Sequence, residues 1–410
     1  MAQLSPRMQE LVQPHLRDLE PYDPNFTPTR VNLSANENTY GVPAPARAAI
    51  DAALAATATN RYPDPMSNDL RDALAAWHGV ARENVIVGNG GDELLYNLML
   101  AFGGPGRTLV NVPPTFSEYA FFASLAQTEV VDVWRDPDTW EVPAEQLVEA
   151  AAKANLVVLT SPNNPTGGVA PASLVREVCA ACPGLVLVDE AYGEFADAET
   201  SVESLLAECD NLLVLHTLSK AFALAGARCG YVIAAPDVID ALAAVRQIYS
   251  VNVLTQAAAL VAVERRADFA PVVAQIRSER GRLLGALERI EGLRTWPSEG
   301  NFLLVRVAGA SRIRERLRDE YSILVRDFSY APGLADCLRI TVGTPEENDA
   351  VIEALAALVP EEAAKAADAV ANAGSAANAA NAAGAAADAK PAAESAVEPA
   401  TATSEEDAHA

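Results

Sequence analysis

Lys220 is the residue of this chain whose neighbours most clearly point to covalent chemistry. It lies in the stretch HTLSKAFALAGARCG (216–230), which also carries Thr217, Ser219 and Arg228. A lysine amine attacks an aldehyde carbon only when it is unprotonated, so most surface lysines do no such chemistry. Hydroxyls and a guanidinium bind a phosphate with charge assistance. We interpret Lys220 as the covalent anchor of a phosphorylated aldehyde, against the alternative of an ordinary surface lysine.

Two motifs upstream supply the groups that would tune such an aldehyde. They are SPNNPTG (161–167) and VDEAY (188–192). Asp189 would keep the nitrogen of a pyridine ring protonated, so that the ring withdraws electrons from a substrate carbanion; the alternative is a helix N-cap. Asn164 and Tyr192 would hydrogen-bond the phenolate oxygen of the ring, although Asn164 also suits a turn. With Lys220, the set predicts a site for pyridoxal 5'-phosphate.

A glycine loop and an aromatic residue extend this predicted site. The loop GNGGDE (88–93) precedes a helix, and the amides of Gly91, Asp92 and Glu93 would bind the phosphate at the helix N-terminus. Its alternative is a tight strand–helix turn, and its glycine spacing does not match a dinucleotide fingerprint. Phe116 would stack on the pyridine face, or else lie in the core. The pair Cys179 and Cys182 lacks the partners of a zinc site and predicts buried thiols, so no metal is expected.

The elements that must position these residues are short apolar strands alternating with helices. Apolar runs predict strands at 85–87, 108–112, 129–133, 156–159, 185–188, 212–215 and 231–233, with helices at 92–102, 143–152 and 171–181. This alternation is typical of an α/β fold with a mostly parallel sheet covered by helices. In such sheets, ligands bind beyond the carboxyl ends of the strands. Asn164, Asp189 and Lys220 each follow a predicted strand, so we expect them to converge.

A smaller α+β unit is predicted after a long helical region at 237–290. Strands at 302–307, 322–325 and 337–342 accompany helices at 312–320 and 345–358. We therefore expect an N-terminal arm (1–45) that contributes to the small domain and to dimer contacts, a large cofactor-binding domain (46–255) and a small C-terminal domain (256–360). The remainder (361–410) is alanine-rich and acidic. It cannot bury enough surface to offset its ordering entropy, and a disordered tail is predicted.

Composition narrows the classes of partner. The chain has 410 residues and a net charge of −25, which argues against a nucleic-acid partner because lysine and arginine carry affinity for phosphates. Five cysteines suit a reducing compartment better than a disulfide framework. No stretch has the pattern of a signal peptide or the length of a membrane span. A cytoplasmic protein without a membrane partner is expected.

From about residue 21 to about residue 358, the chain resembles the fold-type-I, pyridoxal-phosphate-dependent aminotransferases. Within them it is most similar to the histidinol-phosphate aminotransferases. The resemblance rests on the two cofactor motifs above, on the Lys220 stretch and on five further stretches: NENTYG (36–41), RYPD (61–64), PSEGNF (297–302), VRD (325–327) and CLRITVG (337–343). It implies the three-layer fold of that group, with large and small domains.

The resemblance also implies roles for residues around the substrate. Arg339 would bind the carboxylate of glutamate. Arg326 would meet the phosphate of the substrate, with Tyr22 and Asn38 nearby. Tyr62 would reach across a homodimer interface to the cofactor phosphate of the partner. The expected partners are a small-molecule amino donor, a keto acid acceptor and a second copy of the chain.

The implied reaction is transamination between L-histidinol phosphate and 2-oxoglutarate, with Lys220 moving the α-proton. Three alternatives stay open: an aromatic amino-acid aminotransferase with the same catalytic set, a threonine-phosphate decarboxylase, and a cofactor-binding regulator without chemistry. The chain departs from the usual family pattern at Thr39, where proline is common, and at Phe116, where tyrosine is common. Both positions are expected near the substrate pocket.

Overall fold

The computed structural model describes residues 5–17, 19 and 27–365. Tyr22 and residues 366–410 lie outside the described residues. Strands in chain order are β1 (Val31–Leu33), β2 (Val85–Gly88), β3 (Thr108–Asn111), β4 (Glu129–Asp132), β5 (Leu156–Thr160), β6 (Leu185–Asp189), β7 (Leu212–Thr217), β8 (Gly230–Ile233), β9 (Leu293–Thr295), β10 (Phe302–Val307), β11 (Ile323–Asp327) and β12 (Cys337–Thr341).

Helices precede and follow most of these strands. They are α1 (Pro6–Leu11), α2 (Ala44–Ala56), α3 (Asn68–His78), α4 (Gly91–Phe102), α5 (Glu118–Leu125), α6 (Ala144–Ala151), α7 (Ala172–Ala181), α8 (Pro236–Val245), α9 (Val253–Glu264), α10 (Ala270–Leu287), α11 (Ala310–Tyr321) and a last helix, α12, described over 345–365. The long helical region expected at 237–290 is three helices, α8 to α10, with breaks between them. Strands β1 (VNL) and β9 (LRT) contain polar residues and lack the continuous apolar run that predicts a buried strand.

Within the described residues, the larger sheet contains seven strands in the order β2-β8-β7-β6-β5-β3-β4. Strands β3 to β7 pair in parallel, and β8 is antiparallel to both of its neighbours, β2 and β7. The prediction of a mostly parallel α/β sheet is confirmed. Its central strands are buried along their whole length, which explains why they appear in the sequence as continuous apolar runs.

Alternation along the strands divides the core into two layers. On strand β6, Val186 and Val188 belong to a cluster with α6 and α7, whereas Leu187 belongs to a cluster with α4, α5 and α8. Successive side chains of a strand point to opposite faces, so Asp189 shares the face of Leu187. Asp189, the polar residue that ends β6, therefore points toward α4 and α5, and Tyr119 lies on α5.

The smaller sheet has the order β1-β11-β12-β10-β9 over the described residues. Strand β1 pairs in parallel with β11, so Val31 lies opposite Ile323, a residue far away in the sequence. The other pairs are antiparallel. The predicted α+β unit is confirmed as a set of elements, while the domain boundaries at 45 and 255 stay predictions.

The predicted disordered tail (361–410) begins before the end of the last helix in the structure. Helix α12 continues through residues 361–365, so the expectation of disorder from 361 is wrong for these five residues. Glu362 is buried and accepts a hydrogen bond from Arg316, which fixes this part of the helix. In the part of the chain that the structure describes, no helix combines the length and apolar character that crossing a membrane requires.

Candidate active site

Asp189 lies at the bottom of the candidate site, at the carboxyl end of β6. Its Oδ2 accepts a 2.6 Å hydrogen bond from the Tyr119 hydroxyl, and its Oδ1 accepts one of 3.0 Å from the Ala191 amide. Burial raises the pKa of the Asp189 carboxyl above its ordinary value, and both hydrogen bonds oppose that rise. Burial also raises the pKa of Tyr119 far above its ordinary value, which keeps this hydroxyl protonated as the donor. The two hydrogen bonds favour the carboxylate form, whereas burial makes that form depend on a positive partner.

Lys220 approaches the same edge of the sheet from the loop after β7. Its Nζ donates a 3.1 Å hydrogen bond to the Ala35 carbonyl and lies 5.8 Å from the centre of the Tyr192 ring. The Tyr192 hydroxyl accepts a 3.0 Å hydrogen bond from Nδ2 of Asn36. The candidate amine and the candidate phenol are therefore neighbours, and the loop after β1 holds both in position.

Asn164 and Arg339 form a third polar group beside them. Nη1 of Arg339 donates a 2.6 Å hydrogen bond to Oδ1 of Asn164, and Nη2 donates one of 2.6 Å to the Ser34 carbonyl. Because Arg339 bonds the amide oxygen Oδ1 of Asn164, the Nδ2 donors of Asn164 point away from this contact. The guanidinium lies between the rings of Phe302 and Phe328, at 5.7 and 5.4 Å from their centres. A buried cation held in this way can bind a carboxylate in a bidentate manner.

A polar cup lies where β7 ends and α4 begins. Oγ1 of Thr217 donates to Oγ of Ser219 at 2.9 Å, so both hydroxyls face one space. Nη2 of Arg228 donates to Oδ2 of Asp92 at 2.8 Å. A Cβ built on Gly90, whose φ is +85°, would lie 2.5 Å from that Nη2. The absence of a side chain at Gly90 therefore leaves room for the guanidinium to approach the N-terminus of α4, which is an anion-binding geometry.

The remaining predicted cofactor residues are placed as follows. Gly91 begins α4, and Oε2 of Glu93 turns back to accept a hydrogen bond from the Asn89 amide. The side chains of Asp92 and Glu93 thus fix the loop, while a bound anion would meet backbone amides. Phe116 meets the Tyr119 ring edge-on at 5.5 Å and packs against the core cluster under α5. Its stacking on a cofactor stays a prediction.

The substrate residues expected from the resemblance are only partly brought together. Arg326 lies directly opposite Arg339 on the antiparallel strands β11 and β12, so both side chains lie on one face of the small sheet. Like charges in such pairs repel, which favours an anionic ligand between them. Asn38 donates to the Ala221 carbonyl at 3.2 Å, next to Lys220. Tyr22 lies outside the described residues, and its role stays a prediction.

Tyr62 points into solvent. Its side chain is 81% exposed and stacks on the ring of Tyr249 at 4.6 Å. Ile248, in the same surface region, is 73% exposed. This exposed apolar patch of Tyr62, Ile248 and Tyr249 contains large side chains of the kind that protein interfaces cover.

Comparison with known proteins identifies the group to which this site belongs. Residues 28–355 match the family model of the class I and II aminotransferases. The chain belongs to this family.

Two curated relatives of this aminotransferase are histidinol-phosphate aminotransferases. The protein from Paenarthrobacter aurescens is 42% identical over 357 residues, which cover 84% of this chain and 94% of the relative. The protein from Roseiflexus castenholzii is 39% identical over 367 residues, which cover 84% of this chain and 97% of the relative. Among solved structures, histidinol-phosphate aminotransferase from Sinorhizobium meliloti in complex with pyridoxal-5'-phosphate superposes with a TM-score of 0.76. It is 28% identical, and the match covers 85% of this chain and 96% of that chain.

Sequence reasoning missed several polar residues of the aminotransferase site. Tyr119 lies in a helix whose sequence indicates only a core aromatic, yet its hydroxyl bonds Asp189. Asn36 is fully buried with φ of 55° and bonds Tyr192, and Ser34 offers its carbonyl to Arg339. The stretch NENTYG was noted, but no local signal indicates which of its atoms reach Tyr192. Cys179 and Cys182 are buried free thiols, as expected, and burial raises the pKa of Cys179 to about 12.

Proposed function

We propose that this aminotransferase uses pyridoxal 5'-phosphate to transfer an amino group between L-histidinol phosphate and 2-oxoglutarate in histidine biosynthesis, giving imidazole acetol phosphate and L-glutamate. The observation that carries the proposal is that Asn164, Asp189 and Lys220 lie at or just after the carboxyl ends of the neighbouring strands β5, β6 and β7, with Arg339 of the small sheet bonded to Asn164. The similarity to curated histidinol-phosphate aminotransferases over most of the chain supports the choice of substrate.

The donor set fits the cofactor group by group. Asp189 is a buried carboxylate suited to a protonated ring nitrogen, and the amide of Asn164 with the phenol of Tyr192 suits a phenolate oxygen. The cup of Thr217, Ser219 and Arg228, which a side chain at Gly90 would obstruct, suits a phosphate.

The residues of the chain have separate tasks in the reaction. When bound, pyridoxal 5'-phosphate supplies an electron-withdrawing ring that stabilises negative charge at the α-carbon of the amino donor. Lys220 would hold the aldehyde of the cofactor, and its Nζ would serve as the general base that removes the proton from that α-carbon. The Ala35 carbonyl orients Nζ for this task. Asp189 maintains the positive charge of the ring because it presents a carboxylate that Tyr119 stabilises.

Arg326 and Arg339 lie on one face of the small sheet, and each would bind an anionic group of a substrate. Arg339 is fixed by Asn164 and Ser34 and would bind the α-carboxylate of glutamate. Arg326 is half-buried, with Nη2 at 3.5 Å from the hydroxyl of the exposed Tyr330. There it would bind the phosphate of histidinol phosphate. Asn38 is held beside Lys220 and would line the same space.

We further propose that the active form is a cytoplasmic homodimer. The exposed patch of Tyr62, Ile248 and Tyr249 supports this proposal because a second copy would cover it. From that patch, Tyr62 would reach the cofactor phosphate of the partner. The net charge of −25 supports the expectation that nucleic acid is not a partner.

Product analysis tests the proposed reaction. The purified, cofactor-loaded protein is incubated with L-histidinol phosphate and 2-oxoglutarate, and the products are identified by mass spectrometry. We expect L-glutamate and imidazole acetol phosphate in equal amounts. Carbon dioxide released from O-phosphothreonine, without glutamate formation, would instead identify a decarboxylase. A normally bound cofactor without any product would identify a regulator.

A further inference from the structure

A cluster of two imidazoles and a carboxylate lies on the face of β7 opposite the cofactor cup. Nδ1 of His78 lies 2.7 Å from Oε2 of Glu203, and Nε2 of His216 lies 3.0 Å from Oε1 of the same carboxylate. The three donor atoms all lie within 4.8 Å of one another. Thr217 faces the cup, and side chains alternate along a strand, so His216 points away from the candidate active site.

Three separate elements bring this cluster together. His78 ends α3, Glu203 begins a short 3-10 helix (Glu203–Ala207), and His216 lies on β7. The tertiary fold therefore builds the cluster, which no local sequence motif contains. One carboxylate oxygen of Glu203 faces each imidazole, and His216 is buried on the strand.

The donor atoms are of the types that transition metals bind, and a hydrogen bond to the other ring nitrogen orients one of the two imidazoles. Zinc binds imidazole nitrogen and carboxylate oxygen at about 2.0–2.2 Å in a tetrahedral arrangement. Donor atoms on one tetrahedral zinc lie about 3.3 Å apart, so the Glu203 oxygens, at 2.7 and 3.0 Å from the imidazole nitrogens, would move outward to admit the ion. Nε2 of His78 lies 2.9 Å from the hydroxyl of Tyr231. Metal-bound histidines are commonly oriented by a second bond of this kind from the other ring nitrogen.

The surrounding cavity adds negative charge. It has a volume of about 500 Å³ and is lined by the three residues of the cluster together with Glu190, Glu194 and Glu199. Glu190 is satisfied by Ser201 and the Val202 amide, whereas Oε2 of Glu194 is buried without a hydrogen-bond partner among the described residues. A buried carboxylate without a partner is costly, and a dication in the cavity would offset that cost.

We propose that His78, Glu203 and His216 bind one divalent transition-metal ion of the zinc type. Mixed imidazole and carboxylate donors favour zinc, cobalt or nickel over magnesium or calcium. The bound ion links α3 and the 203–207 turn to β7, and so it stabilises the fold without contacting the cofactor cup.

Zinc affinity of the full-length, cofactor-loaded protein tests the proposal. Binding is measured by competition with a chromophoric chelator, and the melting temperature is followed with added Zn²⁺ or Mg²⁺. We expect one ion per chain and a rise in Tm with Zn²⁺ but not with Mg²⁺. His78→Gln and His216→Gln should each weaken binding by at least about 100-fold, since loss of even an outer-shell partner costs about 10- to 100-fold. His15→Gln, at an imidazole outside the cluster, should leave the affinity unchanged.

A second pair of variants distinguishes the loss of a metal ligand from a general effect on folding or on charge. Glu203→Gln keeps the size of the side chain and should weaken zinc binding by at least about tenfold. Glu199→Gln removes the same charge from the same cavity without removing a ligand, and it should change the affinity little. The proposal is overturned if the wild type binds no zinc, if the histidine variants bind it as tightly as His15→Gln does, or if Mg²⁺ raises Tm as much as Zn²⁺.

Discussion

Tyr119→Phe removes a single hydroxyl from beneath the proposed cofactor ring. That hydroxyl donates the 2.6 Å hydrogen bond to Oδ2 of Asp189, and Oγ1 of Thr160 lies 2.8 Å from it. The phenylalanine keeps the ring and its edge-on contact with Phe116. The substitution therefore removes the hydrogen bond to the carboxylate together with the contact to Thr160, and it leaves the aromatic packing in place.

The size of the effect follows from the charge of the acceptor. A hydrogen bond to a charged group contributes about 1.5–3 kcal/mol. At about 1.4 kcal/mol per factor of ten, its loss weakens an interaction that needs the carboxylate by about 10- to 150-fold. The Ala191 amide still donates to Oδ1, so we expect the lower end of this range. Because the lost bond favours the ionised form, the pKa of Asp189 must rise further.

Equilibrium binding of pyridoxal 5'-phosphate across pH measures both effects. The dissociation constant of Tyr119→Phe should be about tenfold higher near neutral pH. As pH falls, protonation of Asp189 weakens binding, and in the variant this weakening should begin at a higher pH. Tyr96→Phe makes the same change on α4 and serves as the control. Unchanged affinity and an unchanged pH profile in Tyr119→Phe would refute the role given to this hydroxyl.

Three further predictions concern the base, the carboxylate site and the phosphate cup. Lys220→Ala should slow the half-reaction with an amino donor by about 10²–10⁴-fold in single-turnover kinetics, as expected for a lost general base; retained turnover would contradict its role. Arg339→Lys should raise KM for glutamate by at least about tenfold in steady-state assays, because lysine cannot replace a bidentate guanidinium; an unchanged KM would remove Arg339 from the carboxylate site. Gly90→Ala should weaken cofactor binding by about tenfold, since a Cβ there meets Arg228 and φ is +85°. Its control is Gly104→Ala, where φ is +118° and no heavy atom lies within 4 Å of the added Cβ. An equal loss of cofactor affinity in Gly104→Ala would assign the effect to backbone strain alone.

Most of the larger sheet could be predicted because its strands are buried on both faces. The apolar runs that precede Asn164, Asp189 and Lys220 are strands β5, β6 and β7, which are neighbours in the sheet, so the three residues lie at or just after the carboxyl ends of adjacent strands. Parallel topology alone requires that edge to be shared, so the convergence followed from the order of the elements.

Long-range contacts could not be predicted in the same way. Strand β1 has three residues and pairs with β11, a contact that no periodic pattern reveals. That pairing brings Asn36 to Tyr192. Tyr119 is also invisible to a motif search, since an aromatic residue in an apolar helix indicates only a core position. The metal-binding cluster of His78, Glu203 and His216 likewise depends on the fold alone.

The half-reaction with three amino donors tests the central claim most directly. Loss of the bound-cofactor absorbance of the purified enzyme is followed with L-histidinol phosphate, L-glutamate and L-phenylalanine in parallel. The account predicts rapid conversion by histidinol phosphate and glutamate and far slower conversion by phenylalanine. Preference for phenylalanine would contradict it, because Arg326 would then have no phosphate to bind and the enzyme would be an aromatic aminotransferase.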